Sequence, residues 1–105
     1  MVTPSVYVSY EKLQRNISRM QQNVMRNGCK LRPHIKTHKT SLIAQMQLEA
    51  GASGVTVAKV SEAEVMESRG IKDIFIAYPV VGEDKLKRVM ALNKKCRLII
   101  GVDSI

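Results

Sequence analysis

One pattern restricts the fold of this chain more than any other. Gly51-x-x-x-Val55-x-Val57-Ala58 recurs nineteen residues later as Gly70-x-x-x-Ile74-x-Ile76-Ala77. In both copies a helix-ending glycine stands ahead of a β-branched strand that finishes at a small residue. The unit is helix, tight turn, strand. Strict strand–helix alternation of this kind makes a parallel sheet with right-handed crossovers, so the fold class is α/β.

The rest of the chain extends the alternation. Leu13, Ile17, Met20 and Val24 are spaced four, three and four apart along one helical face, with Ser9 placed to cap the helix and Gly28 to stop it. Thr40 or Ser41 opens a second helix carrying Ile43, Met46, Gln47 and Ala50, ended by Gly51. Ser61 and Glu64 have the spacing of a capping box, with Val60 and Val65 at the staple positions around it. A fourth helix has Glu83 and Asp84 in its first turn, Leu86, Val89 and Met90 on its face, and Lys94 and Lys95 at its end. Those charges suit the helix dipole. Residues 97–102 are almost continuously apolar, the mark of a strand buried on both faces. Helices are therefore expected over 10–27, 41–50, 62–69 and 83–94. Strands are expected over 30–36, 54–59, 73–78 and 97–102, parallel neighbours in that order. A further short strand is expected around Val6 and Val8.

Four such strands open a doubly wound sheet or make half of a (β/α)8 barrel. No G-x-G-x-x-G follows any strand, which lowers the dinucleotide-binding version. In the barrel version the parallel (β/α) units form the N-terminal half of a TIM-type barrel. Thr56 and Ala58 then face the interior and leave room for a ligand, while Val55 and Val57 pack outward on helices.

The unusual strand is Leu31-Arg32-Pro33-His34-Ile35-Lys36, continued by Thr37-His38-Lys39. Leu31, Pro33 and Ile35 fall on one parity and Arg32, His34 and Lys36 on the other. The polar parity would face the barrel interior, with Lys36 at the C-terminal end, where barrel enzymes place their chemistry. A lysine desolvated among cations loses its proton more readily, which is what amine nucleophiles need. Arg32, which keeps its proton, could depress Lys36 and still hold an anion.

Composition excludes several other classes. The net charge is +8, but its Lys and Arg residues are spread from Lys12 to Arg97. Tyr7, Tyr10, Phe75 and Tyr78 do not have the spacing of a stacking platform, so no nucleic-acid partner is expected. No apolar run is long enough to span a bilayer, so no membrane partner is expected, and the N-terminus has no signal-peptide pattern. Cys29 and Cys96 share no metal-ligand spacing with each other or with His34 and His38. Free thiols in a reducing, cytoplasmic setting are the expectation.

The segments Leu31–Lys39, Gly51–Ala58, Glu62-Ala63-Glu64 and Ile76–Pro79, with Thr3-Pro4 and Arg15-Asn16 ahead of them, together resemble the D-serine dehydratase-like and D-threonine aldolase family. The likeness runs in order along essentially the whole chain, and its most specific piece is Arg-Pro-His-x-Lys-Thr-His-Lys. That family belongs to the alanine-racemase-like, fold-type III pyridoxal-phosphate enzymes. The resemblance implies a (β/α)8 barrel with a separate β domain, acting as a homo-oligomer on a small-molecule D-amino acid. It also implies that Lys36 holds pyridoxal 5'-phosphate as an internal aldimine. Arg32, His34, His38 and Tyr78 are supporting candidates, and Thr56 is a second cofactor contact.

The chain also departs from that family. A barrel alone takes roughly 250 residues, so residues 1–105 are expected to be a single partial domain, from a truncated gene, a split gene or an expressed fragment. Residues 4–9 are a candidate strand of a β domain outside the segment. A divalent metal is open to the full-length family, with its ligands outside this segment, and no metal site is expected here. The implied activity is that of a lyase, a D-serine or D-threonine dehydratase or a 3-hydroxy-D-amino-acid aldolase, with this chain inactive by itself. Two alternatives are a non-catalytic pyridoxal-phosphate-binding protein of the same barrel group and a basic anion- or nucleic-acid-binding module. Exposed strand edges should make the chain self-associate or recruit a C-terminal half.

Overall fold

The computed structural model describes residues 2–104. Helices α1 (Tyr10–Arg26), α2 (Ser41–Glu49), α3 (Val60–Ser68) and α4 (Glu83–Asn93) alternate with strands β1 (Val55–Val57), β2 (Asp73–Ile76) and β3 (Arg97–Ile100) after α2. The three strands are parallel, in the order β1-β2-β3. Both repeat glycines have left-handed backbones, φ +121° at Gly51 and +89° at Gly70. Only glycine takes that conformation at no steric cost, so the repeat reports two equivalent helix exits.

Residues 30–36 are expected to form the first strand, but only one bridge forms there, His34 with Thr56, in parallel sense. The reason lies in the donors. Thr56 makes both bonds of the pair: its N–H donates to the Pro33 carbonyl (2.8 Å), and its carbonyl accepts from the Ile35 N–H (2.9 Å). One step earlier, a parallel ladder would need an N–H from residue 33, and proline has none. Ser53 closes that end instead, its N–H donating to the Leu31 carbonyl (2.9 Å). One step later the chain turns over Lys36–His38, and the Lys39 N–H takes the Ile35 carbonyl (2.8 Å).

The core lies between the sheet and its helices. Ile35, Val55, Val57, Ile71, Ile74 and Ile76 are essentially inaccessible and pack with Ala44, Ala63, Met66, Val89 and Leu92. Burying side chains of this size contributes about 1.5–3 kcal/mol each. Three local expectations change. Helix α3 starts at Val60, with Lys59 as its N-cap and no side-chain cap, so Ser61 and Glu64 do not form the capping box. On α4 it is Leu92, not Met90, that joins Val89 in the core; Met90 is 68% exposed and Leu86 44%. Strand β3 is only half-buried at Leu98 and Ile99, because it is the outer strand of this sheet. Residues 4–9 pair with no strand among the described residues, and Val6 and Tyr7 are exposed. No described helix is long and apolar enough to cross a membrane.

Candidate functional site

The pairing register sorts the concave face of the sheet into rows. Asp73 pairs with Arg97, Phe75 with Ile99, Thr56 with Phe75 and His34 with Thr56. Extending that register by two residues each way gives Arg32, Gly54, Asp73 and Arg97 at the N-terminal end of the strands. At the C-terminal end it gives Lys36, Ala58, Ala77 and Gly101.

The N-terminal row is an ion-paired floor. The Arg32 guanidinium lies 2.6 Å from Asp73 Oδ1, and Arg97 lies 2.9 Å from Asp73 Oδ2. A Cβ on Gly54 would run into the Arg32 guanidinium and the Asp73 backbone, so only glycine lets them meet. Burial raises the Asp73 carboxyl, but the hydrogen bonds and charges of Arg32 and Arg97 outweigh it and hold the group below its ordinary value. Arg32 is therefore not beside Lys36, as its parity suggested. It sits at the opposite end of the sheet, neutralised by a carboxylate.

The middle row is a packed layer. Thr56 is 8% exposed, and its hydroxyl donates to the Arg32 carbonyl (3.0 Å), leaving only lone pairs for a ligand. His34 Nδ1 accepts the Lys36 backbone N–H at 3.2 Å, which places the proton of the neutral ring on Nε2. Burial first, and then the charge of Lys36, push His34 below its ordinary value, against a smaller opposing pull from Glu62.

The C-terminal row holds the amine. Lys36 is exposed in the turn after Ile35, not buried among cations as the sequence suggested, and it makes no ion pair among the described residues. Its neighbours in the row carry no side chain beyond Cβ. Tyr78 stands at the same rim, 66% exposed, between two cavities of about 540 and 250 Å³. His38 has both ring nitrogens engaged. Its Nδ1 accepts the Thr40 N–H (3.1 Å) and its Nε2 pairs with Gln47 Oε1 (3.2 Å), which ties the turn to α2. The sheet thus leaves Lys36 and Tyr78 at its C-terminal end, His34 in the middle row and Arg32 at the other end.

Glu62 is the residue sequence reasoning passed over. It reaches back from the first turn of α3, and its Oε1 accepts the Ala58 N–H at 2.9 Å. The signal available was a carboxylate four residues after the strand-ending Ala58, obscured by the better-known Ser61–Glu64 spacing.

Pyridoxal phosphate can be tested against this donor set. A covalent site for it needs an accessible primary amine and flat space beside that amine. Lys36 supplies the amine, and the row of Ala58, Ala77 and Gly101 supplies the space, with nothing within 4 Å of a Cβ placed on Gly101. The residues fit the group. No cluster of three metal-ligating side chains occurs among the described residues. Cys29 and Cys96 are both free.

The alanine racemase N-terminal domain family matches residues 8–104. The chain belongs to that family. It is 39% identical over 98% of its length to the D-threo-3-hydroxyaspartate dehydratase of Delftia sp. (strain HT23), and 38% identical over 97% to the D-threonine aldolase of Arthrobacter sp. The D-serine dehydratase of Dictyostelium discoideum is 32% identical over 98% of the chain. A crystal structure of D-threonine aldolase from Filomicrobium marinum superposes with a TM-score of 0.96 at 38% identity, covering 98% of this chain and 28% of the other. The alanine racemase N-terminal domain family is pyridoxal-phosphate dependent, and the (β/α) architecture expected from the sequence is the architecture observed. The chain spans about 27% of the length of these relatives.

Proposed function

We propose that this chain is the cofactor-lysine segment of a pyridoxal-phosphate-dependent lyase acting on a D-amino acid, with Lys36 as the lysine that binds the cofactor. The observation that carries the reading is the placement of Lys36. It is an exposed amine with no ion pair among the described residues, at the C-terminal rim of a parallel sheet, in a row of residues too small to obstruct a ring. Relatives named as D-threonine aldolase, D-serine dehydratase and D-threo-3-hydroxyaspartate dehydratase support the lyase class and the D-configured substrate.

When bound, the cofactor supplies an electron sink for a carbanion at the substrate α-carbon. The chain's own residues do the rest. Lys36 holds the group through its ε-amine. His34, whose Nδ1 is occupied by the Lys36 N–H, fixes the backbone of the turn and keeps its ring neutral near pH 7. Thr56 and Phe75 form the floor beneath the small row, and Thr56 has acceptor lone pairs free toward a ligand. The Tyr78 hydroxyl, exposed at the rim, is the candidate to hold or move a proton at the substrate side. The homo-oligomer expected of the family, or a C-terminal half, would cover the outer edge of β3 and complete the lumen.

Pyridoxal phosphate added to the protein should produce a visible absorption band that a Lys36→Ala variant lacks and a Lys39→Ala variant retains. A band of equal size in Lys36→Ala would end the reading.

A further inference from the structure

At Ala58 the parallel ladder stops for a reason that backbone geometry alone does not give. Continued by one step, it would have the Ala58 N–H donate to the Ile35 carbonyl. That carbonyl is taken by the Lys39 N–H (2.8 Å), and the Ala58 N–H is taken by Glu62 Oε1 (2.9 Å). The exchange frees residues 36–38 from the sheet and lets the chain turn with Lys36 at the rim. Lys39 closes that turn with φ +53°, a left-handed backbone that a lysine adopts only at a cost. The second oxygen, Glu62 Oε2, is inaccessible and has no hydrogen-bond partner among the described residues. Such a carboxylate oxygen is costly to bury unless a charge faces it. The cavity beside Glu62 is lined by Ile35 and Lys39, the two residues that bracket the Lys36 turn.

We infer that Glu62 is the positioning residue of the Lys36 turn. One oxygen replaces the ladder bond that would keep residue 36 in the sheet, and the other sets a fixed negative charge behind the turn between Ile35 and Lys39, near enough to act on His34. Glu62 does not touch the reacting atoms in this assignment; it acts through the turn. The importance of that turn rests on the reading of Lys36 as the cofactor lysine, but the geometry and charge of Glu62 can be measured without the cofactor.

Glu62→Gln keeps an oxygen to accept the Ala58 N–H and removes the charge. Glu62→Ala removes both. Two measurements on the cofactor-free protein separate the roles: the pH midpoint of the His34 ring by NMR and the exchange rate of the Ala58 amide. The charged groups acting on His34 are Lys36 and Glu62, with burial opposing its protonation. In Glu62→Gln the His34 midpoint should fall, because the negative charge that raises it is gone, with Ala58 exchange within about twofold of the parent. In Glu62→Ala the Ala58 amide should exchange roughly tenfold faster, the scale of one lost hydrogen bond. An unmoved His34 midpoint in Glu62→Gln would overturn the inference. So would unchanged Ala58 exchange in a folded Glu62→Ala. If Glu62→Ala fails to fold, the His34 midpoint in Glu62→Gln decides. Failure of the parent protein to take a pyridoxyl label on Lys36 would instead overturn the functional reading, leaving the His34 and Ala58 results to judge Glu62.

Discussion

The two ends of this sheet treat positive charge in opposite ways. At the N-terminal end, Arg32 and Arg97 are both bound to Asp73, and Gly54 is kept small so that the contact can form. At the C-terminal end, Lys36 stands exposed with no carboxylate partner among the described residues, in a row with Ala58, Ala77 and Gly101, which carry no side chain beyond Cβ. Both cations come from the same short segment and the same parity. A charge that is neutralised and partly buried contributes to the fold. A charge that is left unpaired in open space at a strand's C-terminal end is available for chemistry.

The largest effect should come from the open end. Lys36→Ala in the assembled enzyme should lower turnover by at least about a thousandfold, since no other group replaces the amine. Lys39→Ala should stay within about tenfold, because Lys39 lies beyond the turn. Steady-state kinetics on both variants checks this. Equal losses would erase the distinction between the two lysines.

The closed end should respond in stability instead. Asp73→Ala leaves two guanidinium groups without their carboxylate and should cost about 2 kcal/mol, read as a lower urea midpoint. Pyridoxyl incorporation at Lys36 should be unaffected under native conditions. A variant that loses labelling while keeping its urea midpoint would show that the two ends are not separable.

The pH dependence follows with a definite sign. Asp73 is held below its ordinary value of 3.8, and Glu64, through its hydrogen bond and ion pair with Arg88, below 4.5. The unfolded state then binds more protons than the native state in acid, so stability rises with pH through that range. Their contribution is complete above the unfolded values and is lost as pH falls through the lower native ones. His34 has the same sign, because its native value lies below 6.5: its contribution is present above that pH and lost on further acidification. Added salt should weaken the exposed Glu64–Arg88 pair more than the Asp73 cluster. Urea midpoints from pH 7 to pH 3 at low and high salt test both statements.

The smallest effect concerns two thiols near the closed end. Cys29 is exposed, whereas burial, followed by the charge of Glu67, raises the Cys96 thiol. Two thiols should titrate in the native protein, with Cys29 reacting about tenfold faster. Fewer than two would show that the pair can bridge.

Much of this organisation was legible in the chain. The repeat from Gly51 to Ala77 carries its own helix exits and strand faces, so two of the strands and their parallel sense could be read directly. The Arg32–His34 parity applies to the extended segment, whereas Lys36 lies in the turn that follows it. What the parity could not convey was position along the strand. Arg32 and Lys36 are four residues apart, which at about 3.3 Å per extended residue places them at opposite ends of the sheet. Nor could it show that Asp73, far away in sequence, would neutralise one and not the other. Nor could the sequence show the partners of His38, whose ring nitrogens are tied to Thr40 and Gln47. Glu62 was hidden because its partner is a backbone amide, and backbone donors left over at strand ends have no sequence signature.

Borohydride reduction after incubation with pyridoxal phosphate, followed by peptide mass mapping of the whole chain, tests the contrast between the two ends most directly. The account predicts a single dominant pyridoxyl label on Lys36, out of the ten lysines in the chain. A label on Lys39, or one spread over surface lysines with none on the 31–39 peptide, would contradict it.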